Sequence, residues 1–387
     1  MEHPYITTMF RITVSLFLLF ICSFCIGQTY EAMQKQTESS WSTAFGLHAL
    51  DNEFIVGGIA YFDSLDYQHM FMSVFDYNGD LLHFDTIPQL DYFLVLGRSN
   101  NMILKGDLLY WMSVGSGRTM IYSYDWKGND FIALDTFETY LSDFDTYDFL
   151  LLGENEYLLS GAYITDNTEI DLGIIHILND SIVNSYRRVD FKGNEIADRI
   201  LLNNDNTYTL IARINEEDNK DSRIYKFDKD LNLLESNDEG SELFKVHFSQ
   251  QITDSEGCLV YSSLKADPDK REYRPIITKL DRGGNLIWER IIGRYEQGFT
   301  LFSKWNGIVE SNQKDGYIIS GSAYIDAPER DTMLSYGVVA KLSTDGDSIW
   351  YRNFTSLDSS HALHYFQDII SIPTGGYIAA GYDQYII

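Results

Sequence analysis

Few residues in this chain are of the types that do chemistry by themselves: it has 8 His and 3 Cys among 387 residues. His361 and His364 form an HxxH pair just ahead of an apolar stretch. No Glu stands between them and no third ligand is near in sequence, whereas zinc takes three or four ligands, so a zinc site is not expected. Asp76-Tyr77-Asn78-Gly79-Asp80 alternates oxygen-bearing side chains as a calcium loop does. It lacks the glycine at the sixth place and the distal bidentate glutamate, so a turn is expected, and calcium is the one cofactor kept open. Asp143, Asp145 and Asp148 form the densest acidic cluster, expected to sit in a solvated connection. Cys22 and Cys25 fall within an apolar leader, so Cys258 is left alone and no intrachain disulfide is expected. It opens an apolar run, which suits a buried inert thiol better than a nucleophile. No residue is singled out as catalytic, cofactor-binding or metal-binding.

The elements that would position such residues are clearer. Seven short apolar runs begin at Phe54, Leu109, Tyr157, Tyr208, Cys258, Tyr317 and Tyr377. Each has a small residue in fifth place: Gly58, Ser113, Gly161, Ala212, Ser262, Gly321 and Gly381, at steps of 48 to 60 residues. A period of this size built of strands points to a propeller or a solenoid. Before each run comes an apolar stretch and a turn pair such as Gly106-Asp107, Asp205-Asn206 or Gly375-Gly376. After six of them come a polar segment, a third apolar run, another turn and a fourth. Four short antiparallel strands, a to d, make the blade of a β-propeller. No sustained period of 3.6 argues for helices. The expectation is therefore an all-β chain of about seven four-stranded blades. The last is incomplete, because Gly381 is followed by six residues only.

Residues 1–27 read as a signal peptide. Arg11 supplies the positive end, residues 12–24 are apolar, and Cys25-Ile26-Gly27 offers small residues before Gln28. That run is too short to span a bilayer comfortably, so no transmembrane segment is expected after cleavage. Residues 28–41 form an N-terminal segment that could close the last blade, and residues 42–387 form the propeller. The formal net charge is −28 and there is no Lys/Arg patch, which excludes a nucleic-acid partner.

The C-terminal units carry a resemblance. Residues 315–324 read DGYIISGSAY, residues 338–354 VVAKLSTDGDSIWYRNF, and residues 375–387 GGYIAAGYDQYII. These resemble the repeat of secreted bacterial propellers of the quinoprotein-like (PQQ-like) kind, loosely DGGYIIAG…KLDxxGNxxW. Proteins of this look are often cargo of the type IX secretion system. A C-terminal sorting domain, usual in such cargo, is not seen in this sequence, and one mature Cys cannot form the adjacent-cysteine ring of some quinone enzymes. Ser343 to Trp350 also comes near the sialidase Asp-box, S-x-D-x-G-x-T-W, with the glycine one place early and Ile349 where Thr should stand. Gly284 lies at the same offset from Trp288, which argues for a c–d hairpin turn.

In an antiparallel blade the b–c and d–a connections emerge at one end. The b–c segments here are the longer ones: 62–69, 164–171, 215–221, 265–274 and 325–335. Loop-borne function is expected on that face. The sequence therefore favours a secreted or cell-surface, non-enzymatic β-propeller that binds a protein or glycan partner through one loop-rich face. A polysaccharide hydrolase or lyase on the same scaffold, and a structural or adhesive surface module, are the alternatives. Two carboxylates and an arginine gathered at the mouth would favour the enzyme.

Overall fold

The computed structural model describes residues 41–62, 67–87, 95–96, 102–115, 118–128, 130–136, 143–164, 170–188, 194–203, 205–215, 220–236, 250–267, 272–282, 285–292, 304–327, 332–354, 362–373 and 375–385. Their regular structure is β throughout, in six antiparallel sheets. Sheet 1 contains β1 (Trp41–Ala49), β2 (Glu53–Phe62), β3 (Tyr67–Asp76) and β4 (Leu81–Ile87). Sheet 2 contains β5 (Val95–Leu96), β6 (Met102–Lys105), β7 (Leu108–Gly115), β8 (Arg118–Asp125) and β9 (Asp130–Thr136). Sheet 3 is β10 (Phe144–Gly153), β11 (Glu156–Ile164), β12 (Ile170–Leu178) and β13 (Ser181–Arg187). Sheet 4 is β14 (Asn194–Leu202), β15 (Tyr208–Asn215), β16 (Lys220–Phe227) and β17 (Leu233–Ser236). Sheet 5 is β18 (Gln251–Thr253), β19 (Leu259–Asp267), β20 (Glu272–Leu280) and β21 (Leu286–Ile291). Sheet 6 is β22 (Lys304–Glu310), β23 (Gly316–Ala327), β24 (Thr332–Ser343) and β25 (Ser348–Phe354). The last two strands are β26 (Ala362–Ser371) and β27 (Tyr377–Tyr385).

Four-stranded sheets in chain order, packed face to face in succession, make a β-propeller. Buried clusters lie between neighbours: Tyr122 and Met72 between sheets 1 and 2, Leu158 and Tyr225 between 3 and 4, Trp305 and Ile277 between 5 and 6. The described residues form six blades, where the sequence predicts about seven. The seventh a–b pair does form as the hairpin β26–β27, but it is not a separate sheet. Ser42 pairs with Asp383 and Thr43 with Tyr382, which joins the hairpin to β1 in a six-stranded sheet 1. The pairing occupies edge groups that an isolated two-stranded blade would leave open. The hairpin also buries Ile378 and Ala380 against Phe54 and Val56. Of the proposed segment 28–41 only Trp41 is described, so its closing role, like the leader, lies outside the described residues.

The small fifth residue has a specific cause. In five inner strands the register shifts by one residue: between Ala44 and Gly46, Thr146 and Asp148, Ala197 and Arg199, Trp305 and Gly307, and Phe366 and Asp368. Each shift is a β-bulge, which bends the strand and re-aims its side chains. The residue paired with the position before each bulge is the small one: Gly58, Gly161, Ala212, Gly321 and Gly381. A Cβ on Gly161 would fall on the carbonyl oxygen of Asp145. At Gly161 it is thus the carbonyl of the bulge that excludes a side chain, whereas the equivalent place in sheet 4 accommodates the methyl group of Ala212.

The turns follow the sequence. Gly106, Asn155, Asn206, Gly257, Gly316, Gly375 and Gly376 all have positive φ between strands a and b. Gly79, Asn179, Asp180 and Gly346 do the same between c and d. The b–c segments are less loop-like than expected, because the strands run on through them: Asp267 pairs with Glu272 and Ala327 with Thr332. Their tips lie outside the described residues.

Candidate functional site at the propeller axis

The residue just after the bulge is Asp148 in β10, Arg199 in β14 and Asp368 in β26. Asp148 of β10, Arg199 of β14, Gln250 just ahead of β18 and Asp368 of β26 are all buried. The backbone amide of Ile200 donates to Asp148 Oδ2 at 3.0 Å. The amide of Ile308 donates to Gln250 Oε1, and that of Leu47 to Asp368 Oδ2 at 2.9 Å. Three times, then, an oxygen of one inner strand takes the amide that follows the bulge of the next. Between these acceptors stand Arg199, Gly307 and Gly46, the residues just before the donating amides.

The belt continues across the ring. Gln250 Nε2 donates to Asp368 Oδ1 at 2.9 Å, and Arg199 pairs with Asp148 at 3.5 Å. Asn306, the bulged residue of β22, donates to the carbonyl of Phe366 at 2.8 Å. Burial pushes the Asp368 carboxyl up to about 6, against the lowering pull of Gln250, the Leu47 and Ile369 amides and the Arg199 charge. Burial likewise raises Asp148, with Arg199 and the Ile200 amide opposing it.

Two carboxylates and an arginine are therefore gathered, but not at the mouth. Asp148, Arg199 and Asp368 are 6%, 3% and 1% exposed and lie midway along their strands. Their oxygens are engaged by donors of the protein. The arrangement holds inner strands together and offers no carboxylate oxygen to solvent for acid–base work. It also corrects the expectation for the acidic cluster: Asp145 and Asp148 belong to β10, and only Asp143 is exposed outside a strand.

At the a–b end a second group gathers. Carboxylate oxygens of Asp254 and Glu256 and the thiol of Cys258 lie within 4.8 Å of one another, a spacing open to a metal. The Lys279 ammonium already stands there, 3.1 Å from Asp254 and 3.2 Å from Glu256. Asp254 also accepts from Tyr317 Oη at 2.7 Å and from the amides of Glu256 and Cys258. The resident cation and these donors satisfy the carboxylate, so the group does not fit a metal centre. It is one of four similar contacts from strand c to the a–b turn, with His176–Glu156, Lys226–Asp205 and Lys341–Asp315. Cys258 is buried and its thiol is pushed up by that burial, as an inert thiol would be.

The other motifs are turns. Asp76 Oδ1 accepts from the amides of Asn78 and Asp80, and its Oδ2 accepts from the Asn78 side chain at 3.1 Å. Ser343 caps the Asp345 and Asp347 amides, and Gly346 takes φ of 82°. Trp288 donates to the Thr344 carbonyl at 2.9 Å, so this turn anchors the neighbouring sheet. Gly284, His361 and the His364 side chain lie outside the described residues. No helix among the described residues is long and apolar enough to cross a membrane.

No family model matches the chain, and no curated protein matches it. Among solved structures, the Dos1 propeller is similar at TM-score 0.46 and 12% identity, over 90% of this chain and 93% of that one. A europium-containing methanol dehydrogenase gives TM-score 0.42 and 10% identity, over 81% and 72%. PorZ, a bacterial surface component of the type-IX secretion system of Porphyromonas gingivalis, gives 0.39 and 9%, over 87% and 55%. Likeness at this level carries no statement about the site.

Proposed function

We propose that this protein is a secreted, non-enzymatic β-propeller that binds a protein or glycan partner through the face of its b–c and d–a connections. One observation carries the choice against an enzyme. The axial carboxylates and arginine that could have formed a catalytic mouth are sealed between inner strands and bonded to backbone amides. The rigid ring then serves as a scaffold for connections of variable length, the usual place for recognition. The leader of residues 1–27 and the repeat's resemblance to secreted quinoprotein-like propellers support export, with the type IX route as the specific form of that proposal.

The test is a paired measurement on the purified mature chain against a polysaccharide and glycoprotein panel. Binding is read by calorimetry and cleavage by release of reducing or unsaturated ends. Binding without release is expected, and it should vanish when residues 268–271 and 328–331 are replaced by Gly-Ser linkers. Turnover of any panel member would defeat the proposal.

A further inference from the structure

Sheet 1 has a hollow near the axis, and one sulfur fills it. Gly46, the residue just after the bulge of β1, pairs with Gly57 of β2, and Gly57 pairs with Met72 of β3. Cross-strand partners share a face, so all three lie on the side of sheet 1 turned to sheet 2, where Met72 belongs to the core between the two sheets. Two glycines side by side leave a dent in that face. Met102 of β6 enters it from sheet 2. A Cβ on Gly46 would fall 2.2 Å from Met102 Sδ, and one on Gly57 would fall 2.8 Å from it. The sulfur thus occupies the space that side chains at both positions would need. Met102 is also the accessible methionine of this region. Met70, Met72, Met112 and Met120 are 3%, 1%, 0% and 4% exposed, whereas Met102 is half-buried.

We propose that Met102 is an oxidation site whose sulfoxide loosens the closure of the ring. The oxidant is a peroxide. An S–O bond forms as the O–O bond breaks, the sulfur gives up two electrons, and hydrogen peroxide is reduced to water. A sulfoxide is larger than a thioether and strongly polar. The dent is floored by paired strands and walled by Met72, so an added oxygen overfills it and buries a polar group against apolar neighbours. The side chain then withdraws and leaves Gly46 unsupported. One peptide further along β1, the Leu47 amide donates to Asp368 Oδ2 at 2.9 Å. The same strand carries Ser42 and Thr43, which pair with Asp383 and Tyr382 of the closing hairpin. Displacement at Gly46 therefore acts on the bond and on the ladder that shut the ring. This device is separate from the partner binding proposed above.

The folded full chain is treated with hydrogen peroxide and mapped by peptide mass spectrometry. Met102 should gain one oxygen about tenfold or more faster than Met70, Met72, Met112 and Met120. In protein oxidised at Met102, hydrogen exchange at Leu47 and at residues 382–383 should quicken about threefold or more, while residues 210–212 of sheet 4 keep their protection. Methionine sulfoxide reductase should reverse the change. Met102→Leu, a volume-conserving swap without a thioether, should leave exchange insensitive to peroxide. Oxidation of the buried methionines as fast as Met102 would overturn the proposal. So would unchanged exchange in protein oxidised at Met102, or an equal peroxide response in Met102→Leu. If Met102→Leu does not fold, the oxidation map and the reductase reversal in the unaltered chain decide, and exchange that stays fast after reduction counts against the proposal.

Discussion

The carboxylate of Asp368 accepts the backbone amide of Leu47 at 2.9 Å, across 321 residues of sequence. The bond ties the last hairpin to the first strand at the axis, beside the edge pairing of Thr43 with Tyr382. The ring is thus closed by a buried side chain as well as by a short stretch of sheet.

Replacing Asp368 with Ala would leave the Leu47 amide and Gln250 Nε2 buried without that acceptor. The expected loss is about 1–3 kcal/mol for each buried donor left without its acceptor. Asp368→Asn keeps one oxygen but sets an amide donor against another donor, and should cost about 1–3 kcal/mol. Urea unfolding of the three proteins measures both.

The same residue sets a pH dependence with a definite sign. The folded carboxyl titrates at about 6, above the ordinary 3.8, chiefly because it is buried. Between those values the folded state holds the proton more tightly than the unfolded chain. Stability from this site therefore rises as pH falls from about 6 to about 4, by at most ~3 kcal/mol. Asp254 and Asp205 are shifted the other way, so their contributions are lost only at lower pH, as pH falls from about 4 through their folded values. The stability difference between the unaltered chain and Asp368→Asn should widen from pH 7 to pH 4.5. A constant difference would contradict the assignment.

Arg199→Met should destabilise by about 3–5 kcal/mol, because the Asp148 carboxylate would stay buried without its cation. Asp148→Asn in the same chain should recover part of this, since the uncompensated charge is then gone. A double-mutant cycle should return a coupling of about 1 kcal/mol or more. Additive losses would show that the 3.5 Å pair does not couple.

Two glycines should respond to Asn for different reasons. Gly375 has φ of 89° and open space around its Cβ position, so Gly375→Asn meets no clash and should cost only the backbone strain of a positive φ, about 1 kcal/mol. A Cβ on Gly307 would meet Ser320 Oγ and come within 2.9 Å of the Ile369 amide. Gly307→Asn should therefore cost at least about 1–3 kcal/mol through overpacking. Thermal unfolding of both variants provides the comparison.

Much of the fold was legible because its signals are local. A turn requiring positive φ selects Gly or Asn over two or three residues, and Asn155, Asn206, Gly79 and Gly346 are where the sequence placed them. The Asp76 and Ser343 motifs were legible as turns for the same reason. The axial belt was less legible, though it left a trace: Asp148, Arg199 and Gln250 recur at steps of 51 residues, close to the repeat period. Their differing types hide the equivalence, because an acceptor and the residue before a donating amide need different side chains. Asp148 was misplaced in a solvated connection because acidity alone says nothing of which strand edge will cover it.

The sequence by itself determined the all-β class, the four-strand unit and the position of every small residue facing a bulge, since each depends on neighbours within one repeat. Only the tertiary structure decided that the described strands form six sheets. Whether β27 ends a blade or joins β1 rests on Ser42 meeting Asp383 across the whole chain, and hydrophobic periodicity carries no information about an edge that far away. The fate of the charged residues was decided in the same way. Arg199 and Asp368 became a sealed clamp because strands from four sheets converge on them, and the desolvation that raises Asp368 exists only after the ring has closed.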